Sequence, residues 1–268
     1  MDMLKRALAP ITDAAWEEIE NVARDMLPTL LSARRVVDVE GPKGWDYAAL
    51  PLGRLSIPKT QSKDGTKYGV HTVQPLVEVR VPFELDVWEL DNIERGAKDI
   101  DLDPLKEAVT KIARFEESAI YEGFGPGHIT GLRDSSEYKK RTLGKQPQAI
   151  LEGVSAGVSE YVAASVKGPY ALVVGSKLWR FISSRHDGYP LTRQLERLIE
   201  GSIVLNPFGD DTFLVSLRGG DLRLVLGHDL AIGYNRHDQK KVELFLTESF
   251  TFQVIDGSAV MVLDWKQT

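Results

Sequence analysis

Apolar and polar residues alternate from Leu76 to Asp86. Val77, Val79, Val81, Phe83 and Leu85 share one face and Glu78, Arg80, Glu84 and Asp86 the other, the period of two of a half-buried strand. The pattern then changes: Trp88, Leu90 and Ile93 sit among Glu89, Asp91 and Glu94, and the run closes on Arg95-Gly96. That spacing predicts a short helix or turn with a glycine stop. A long amphipathic strand ending in an acidic turn suits a structural spine better than a catalytic loop.

Helical spacing recurs elsewhere. From a cap at Thr12 or Asp13, Trp16, Ile19, Ala23, Met26 and Leu30 mark one apolar stripe, with Pro28 expected to kink or end the helix. Asp103-Pro104 opens a second helix, with Leu105, Ala108, Val109, Ile112, Ala113, Ala119 and Ile120 as its buried stripe and Glu116-Glu117 as a plain helix face. Gln148 to Val166 and Leu191 to Ile199 are further helices, the latter stopped by Gly201. Arg34 to Pro42 predicts a short strand ended by Gly-Pro, and Tyr170 to Val174 a fully apolar strand. The segments 213–217 and 222–226 predict a hairpin around Arg218-Gly219-Gly220-Asp221, and 242–254 and 259–263 are the last strands. Between Leu50 and Tyr68 short alternations run into a polar tip at 60–65 closed by Asp64-Gly65. Such a hairpin has too few large apolar residues to stand alone and needs a surface, its own subunit's or a neighbour's. The glycine-rich run Tyr121 to Thr130 is the best internal boundary.

Composition narrows the function classes. The 268 residues suit one core with large excursions or two fused lobes. A net charge of −6 with dispersed basic residues argues against nucleic acid as a partner. The absence of cysteine removes disulfides and thiolate chemistry. No stretch approaches the roughly 20 apolar residues of a membrane span, so a soluble, cytoplasmic protein without a membrane partner is expected.

Catalytic signatures are thin. Gly153-Val-Ser155-Ala-Gly157 matches a serine-hydrolase elbow, but the residues before it read as helix where the motif needs a strand. His186, His228 and His237 each precede an aspartate in what read as loops or turns, without a helical partner at metal spacing, so no metal site is expected. No Glu-x-x-His, phosphate-binding loop or dinucleotide fingerprint occurs. The residues alone therefore describe a mixed α/β protein with an arm and no convincing active site.

Several stretches, taken in order, carry a resemblance. They include Leu8-Ala-Pro10, Arg34-Arg-Val-Val-Asp38-Val-Glu-Gly-Pro42, Trp45-Asp-Tyr-Ala-Ala49, Trp88-Glu-Leu-Asp-Asn-Ile-Glu-Arg-Gly96, Gly168-Pro-Tyr170, His186-Asp-Gly-Tyr-Pro190, Ile232-Gly-Tyr234 and Glu248-Ser-Phe-Thr-Phe252. They span nearly the whole chain, and the ordered set resembles the first family of encapsulins, the linocin-like shell proteins. The resemblance implies the α+β fold of tailed-phage major capsid proteins. A first helix and the start of the peripheral domain would lie at 1–49, an extended hairpin loop at 50–80 and the spine helix within the peripheral domain at 81–126. An axial domain would follow at 127–220 and return strands at 221–268.

It further implies a non-enzymatic subunit that self-assembles into a hollow icosahedral nanocompartment. Its cargo, such as a dye-decolourising peroxidase or a ferritin-like protein, would be recruited by a C-terminal targeting peptide, which ties the family to oxidative stress and iron storage. On this resemblance the cargo peptide contacts Arg34, Asp38, Leu27, Leu31, Leu230 and Ile232, and an arginine at Asp38 or Ile232 is expected to leave shells empty. Arg185, His186, Asp187 and Gly188 match the loop lining the fivefold pore. Trp88 and Arg80 match residues that hold flavin (FMN) in some relatives, although no cofactor is required. The rival readings are a viral or prophage capsid protein packaging DNA and a serine hydrolase using Ser155.

Overall fold

The structure is a computed structural model describing residues 3–59, 64–185 and 188–265. Helix α1 (Asp13–Leu30) starts where the Thr12 hydroxyl accepts from the Ala15 N–H at 3.2 Å. Pro28 sits in its last turn, where it removes one donor without breaking the ladder, since Leu31 N–H still reaches Leu27 O at 2.9 Å. The chain next makes a 3-10 turn at Ala33–Arg35, and strand β1 is only Asp38–Glu40. The strand expected from Arg34 is therefore shorter, because the turn carries Arg34 inward onto buried carboxylates instead of into a sheet.

Strands β2 (Ala49–Ser56), β3 (Val70–Pro75) and β4 (Val77–Asp86) follow. Helix α2 (Val87–Glu94) is capped by Asp86, which accepts from Trp88 N–H at 2.8 Å and Glu89 N–H at 3.3 Å, and Gly96 leaves it at φ +87°. Next come α3 (Asp103–Tyr121), α4 (Leu132–Ser135), β5 (Arg141–Leu143), α5 (Pro147–Ala163) and β6 (Tyr170–Gly175). After them lie α6 (Ser176–Ser183), α7 (Leu191–Ile199), β7 (Ile203–Asn206), β8 (Thr212–Ser216), β9 (Leu222–His237), β10 (Lys241–Val254) and β11 (Val260–Trp265).

The strands form a four-stranded sheet in the order β1-β9-β10-β4, a five-stranded sheet in the order β5-β11-β8-β6-β7, and the ribbon β2-β3. The hairpin expected around 218–221 does not form, because β8 belongs to the five-stranded sheet and β9 to the four-stranded one. Gly219 and Gly220 are left-handed as their sequence suggests. They carry a crossover, held where Arg218 pairs with Asp221 at 2.6 Å and Asp256 at 2.7 Å and where Leu217 N–H donates to Pro169 O at 2.8 Å. The stop of α7 also differs in detail. Glu200 takes the left-handed cap at φ 53°, while a Cβ on Gly201 would lie 2.1 Å from Tyr170 O. Glycine is required there for backbone approach rather than for turning.

One apolar core joins the two sheets through Val173, Phe213, Val215, Leu224, Phe250 and Phe252, with Ile120 and Tyr121 of α3. Helices α1 and α3 bury Trp16, Ile19, Val109 and Ile112 against Phe83, Leu244 and Leu246 of the four-stranded sheet, and α5, α6 and α7 cover the five-stranded one. Each such side chain contributes about 1.5–3 kcal/mol on burial, so these layers supply the stability of the molecule.

The ribbon has no such cover. Among the described residues β2 and β3 pair only with each other, and Leu55, Ile57, Tyr68, Val70 and Val73 are each more than half exposed. The turn residues Asp64-Gly65 behave as expected, with Gly65 at φ +86° and Asp64 accepting from Thr66 N–H at 2.9 Å, while 60–63 lie outside the described residues. The root is firmly held: Gln74 Nε2 donates to Phe252 O at 2.8 Å and Gly44 N–H to Gly227 O at 2.7 Å.

Candidate functional site

The densest polar chemistry lies where α1, α3, β9 and β10 meet. Arg34 donates through Nε to Glu116 at 2.9 Å, through NH2 to Glu116 at 2.5 Å and Glu248 at 3.0 Å, and through NH1 to Asp229 at 2.9 Å. At the next position of α3, Glu117 accepts from Ala33 N–H at 2.8 Å and from the Ser32 hydroxyl, which also lies 2.9 Å from Tyr121 OH. Glu116, Glu117 and Glu248 are essentially inaccessible to solvent. Burial alone would lower the Arg34 pKa, but the Glu116 hydrogen bonds and the surrounding carboxylate charges outweigh it and keep the guanidinium charged. Burial pushes Glu117 up to about 7 despite the Ser32 and Ala33 hydrogen bonds, and burial together with Glu116 pushes Glu248 well above the ordinary range.

The expectation that Glu116-Glu117 is a plain helix face is thus overturned. Glu116 follows Ile112 and Glu117 follows Ala113 at a spacing of four, so both fall within the apolar stripe of α3. That register was the available signal.

Above this cluster two grooves run side by side between α1 and β9. Leu27, Leu31, Arg34 and Leu230 line one, with Arg24, Pro28, Arg35 and Asp229. Leu27, Leu230 and Ile232 line the other, with Ala23, Leu246, Arg6 and Glu20. Five of the six residues matched to cargo docking therefore share one surface. Asp38 does not: it lines a separate cleft with Ser216 and Asp221, where its carboxylate accepts from Gly220 N–H at 2.6 Å.

The sequence matches the family described as "encapsulating protein for peroxidase" over residues 1–251. A type 1 encapsulin shell protein of Rhodococcus erythropolis is 42% identical over 264 residues, covering 98% of this chain and 100% of that protein. One of Mycobacterium tuberculosis is 40% identical, covering 98% and 99% respectively. The chain belongs to the encapsulin shell proteins.

The fold agrees with that membership. The virus-like particle protein of Pyrococcus furiosus superposes with a TM-score of 0.66 at 18% identity, covering 92% of this chain and 98% of that one. The capsid protein of Myoviridae phage XM1 gives 0.55 at 13% identity, covering 85% and 88%. The encapsulin subunit therefore has the α+β fold of the tailed-phage capsid proteins, and as a shell protein it is structural and capsid-like, not an enzyme.

Its remaining candidate residues fit that role. Ser155 lies inside α5, its carbonyl accepting from the Ser159 hydroxyl at 2.9 Å, so no strand-to-helix elbow exists. His228, expected in a turn, is a buried strand residue of β9 stacked on Trp45, because the β9–β10 pairing turns its side chain under the ribbon root. His237 ends β9 with Nδ1 2.6 Å from Tyr234 OH. Among the described residues no group of three or more His, Asp or Glu is arranged to hold a metal ion, and no helix is long and apolar enough to cross a membrane.

In the pore-loop match, Arg185 and Gly188 are exposed on the approach to α7, with the Arg185 guanidinium over the Phe181 ring. His186 and Asp187 lie outside the described residues. Of the two residues in the flavin match, Arg80 caps the Phe245 ring at 4.2 Å and exposed Trp88 has Arg95 over its ring at 5.8 Å.

Proposed function

We propose that this encapsulin subunit closes into an icosahedral shell by laying its 50–80 ribbon on the neighbouring copy, and that the shell encloses a cargo enzyme. The observation that carries this reading is the ribbon itself: among the described residues its two strands pair only with each other, and five of its large apolar side chains are more than half exposed. Isolated ribbons are marginal in water, so an equivalent surface on another copy is the natural cover, and repeated heterologous contacts that close give a finite particle. On this reading 81–126 and the return strands of 221–268 build a peripheral wall with the 1–49 segment, and 127–220 forms an axial lobe. Arg185 to Gly188 would then line a pore at its tip.

The cargo is a peroxidase, consistent with the family's description, and its C-terminal tail docks in the α1–β9 grooves through Leu27, Leu31, Arg34, Leu230 and Ile232. No flavin is needed for either step. Electron microscopy of the chain expressed alone tests the shell: hollow spheres are expected, and monomers at working concentration would reject it. Co-expression with a peroxidase carrying or lacking its terminal tail tests docking, with loading expected only when the tail is present.

A further inference from the structure

Beneath the α1–β9 grooves three carboxylates surround one guanidinium and a fourth lies beside them. Glu116, Glu248 and Asp229 all reach Arg34, and Glu117 lies one position along α3, holding the Ala33 amide. The second oxygen of Glu248 is buried and receives no donor among the described residues, while Glu116 lies within hydrogen-bonding reach of the Glu248 carboxyl, a contact that needs a proton between the two. An ionised carboxylate with one bare oxygen in an apolar wall is costly, and a neutral one far less so. The groups facing the cluster are Ser32, Arg34 and Arg35 from the turn, Glu116, Glu117 and Tyr121 from α3, Asp229 from β9 and Glu248 from β10. Arg34 neutralises one charge, so full ionisation would leave the wall heavily negative.

We propose that this cluster is a proton-loaded latch: with protons on Glu117 and Glu248 it clamps the 32–35 turn onto α3, and loss of those protons frees the turn and reshapes the groove floor. It deepens the docking reading, since it regulates that same surface, but the latch stands or falls on its own measurements. Three contacts bind the turn to α3: Ala33 N–H and the Ser32 hydroxyl on Glu117, and Arg34 on Glu116. Glu117 and Glu248 both hold their protons to higher pH in the closed state than an exposed carboxylate does, for reasons of burial and mutual charge. Opening the turn to water therefore releases protons. The closed state is favoured at low pH, and it loses about tenfold per pH unit for each proton released as pH rises from the ordinary carboxylate value through the closed-state value. For Glu117 that window ends near 7, and Glu248 is shifted in the same direction by burial and by Glu116.

The test uses cargo-free shells of the full chain. Hydrogen exchange at Ala33 and its neighbours, corrected for the intrinsic pH dependence of amide exchange, should show protection falling from about pH 5 to about pH 7, by about tenfold per unit where one proton is released and about a hundredfold where both are. In E117Q/E248Q, whose amides mimic the protonated groups, protection should be flat across that range. Infrared difference spectra of wild-type shells between about pH 5 and about pH 9 should show a protonated-carboxyl stretch disappearing, and that component should be missing in the double variant. Flat protection in the wild type, an unchanged fall in the double variant, or no such carboxyl band would each overturn the latch. A cargo tail that docks elsewhere would alter none of these readouts, so the two readings fail separately.

Discussion

The imidazole of His228 lies face to face with the indole of Trp45, ring centroids 3.7 Å apart and planes 17° from parallel. Trp45 stands at the entrance to the ribbon and His228 inside β9, so the stack joins the ribbon root to the wall sheet. Ser249 Oγ accepts from the His228 backbone N–H at 3.0 Å and lies 2.9 Å from His228 Nδ1, so one hydroxyl fixes both the backbone and the ring of the histidine.

Removing that indole should loosen the root. Trp45→Ala is expected to cost about 1–2 kcal/mol, because the ring is half exposed and its payload is the stack. Burial lowers the His228 pKa, against the raising effect of Glu78 and Asp229. The folded state therefore binds fewer protons than the unfolded chain as pH falls through about 6.5. The stabilising contribution is present above that value and lost on acidification. In the alanine variant the His228 titration, followed by NMR in an assembly-defective background, should move back up toward its ordinary value.

Among the described residues Arg34 is the one guanidinium that pairs with Glu116, Glu248 and Asp229, so its loss is asymmetric. Arg34→Met should destabilise by about 3–5 kcal/mol, since it leaves carboxylates buried without a counter-charge. Arg34→Lys should cost less but not nothing, because an ammonium cannot repeat the two-pronged contact with Glu116. The same methionine in a Glu116→Gln/Glu248→Gln background should cost markedly less. Denaturant midpoints of the four variants form the cycle that measures this, and equal costs in both backgrounds would refute the pairing.

The end of α7 makes a prediction of opposite signs for adjacent residues. Gly201→Ala forces a Cβ to 2.1 Å from the Tyr170 carbonyl, a backbone atom that cannot rotate away, so loss of soluble protein or a large fall in unfolding temperature is expected. Glu200→Gly relieves a left-handed conformation worth about 1–2 kcal/mol and gives back about 0.5–1 kcal/mol in unfolded-chain entropy. A net gain of up to about 1 kcal/mol should appear in thermal unfolding.

The ribbon's exposed side chains should matter to assembly and not to the subunit. Leu55→Ser with Val70→Ser removes apolar surface that is more than half exposed in the subunit itself. Circular dichroism should be unchanged, while particle yield falls; each lost burial is worth about 1–2 kcal/mol per contact and recurs at every subunit. Full yield of stable particles would show that these residues do not make the clasp.

What was legible in the sequence was whatever periodicity alone decides. The β4–α2 passage, the α3 stripe and the long alternation of β10 fall where apolar spacing puts them. The misses come from decisions made across space. Arg218-Gly-Gly-Asp221 has the composition of a hairpin, and only the pairing of β8 with β6 and β11 and of β9 with β10 shows that it bridges two sheets. His228-Asp229 looks like a turn until the β9–β10 register buries one residue and leaves the other exposed. Glu116 and Glu117 are polar letters in an apolar stripe, and their partner Glu248 is more than 130 positions away, a pairing that no local window reports. The family resemblance supplied the fold and the shell role, which the residues alone left as an arm without an active site.

The same spatial sorting sharpens the docking test. Asp38 lines neither groove and accepts from the Gly220 N–H, so Asp38→Asn should leave cargo loading unchanged, against the expectation drawn from its motif. Ile232 is almost fully buried, so an arginine there would disturb the wall as well as the groove. Leu230 is half-buried and lines both grooves, which makes Leu230→Arg the cleaner change. Shells of normal size and yield with cargo reduced at least about tenfold are expected, since one buried charge opposite an apolar tail costs more than 1.4 kcal/mol. Cargo-to-shell ratios from densitometry of purified particles decide it, and full loading in Leu230→Arg would remove the tail from this face.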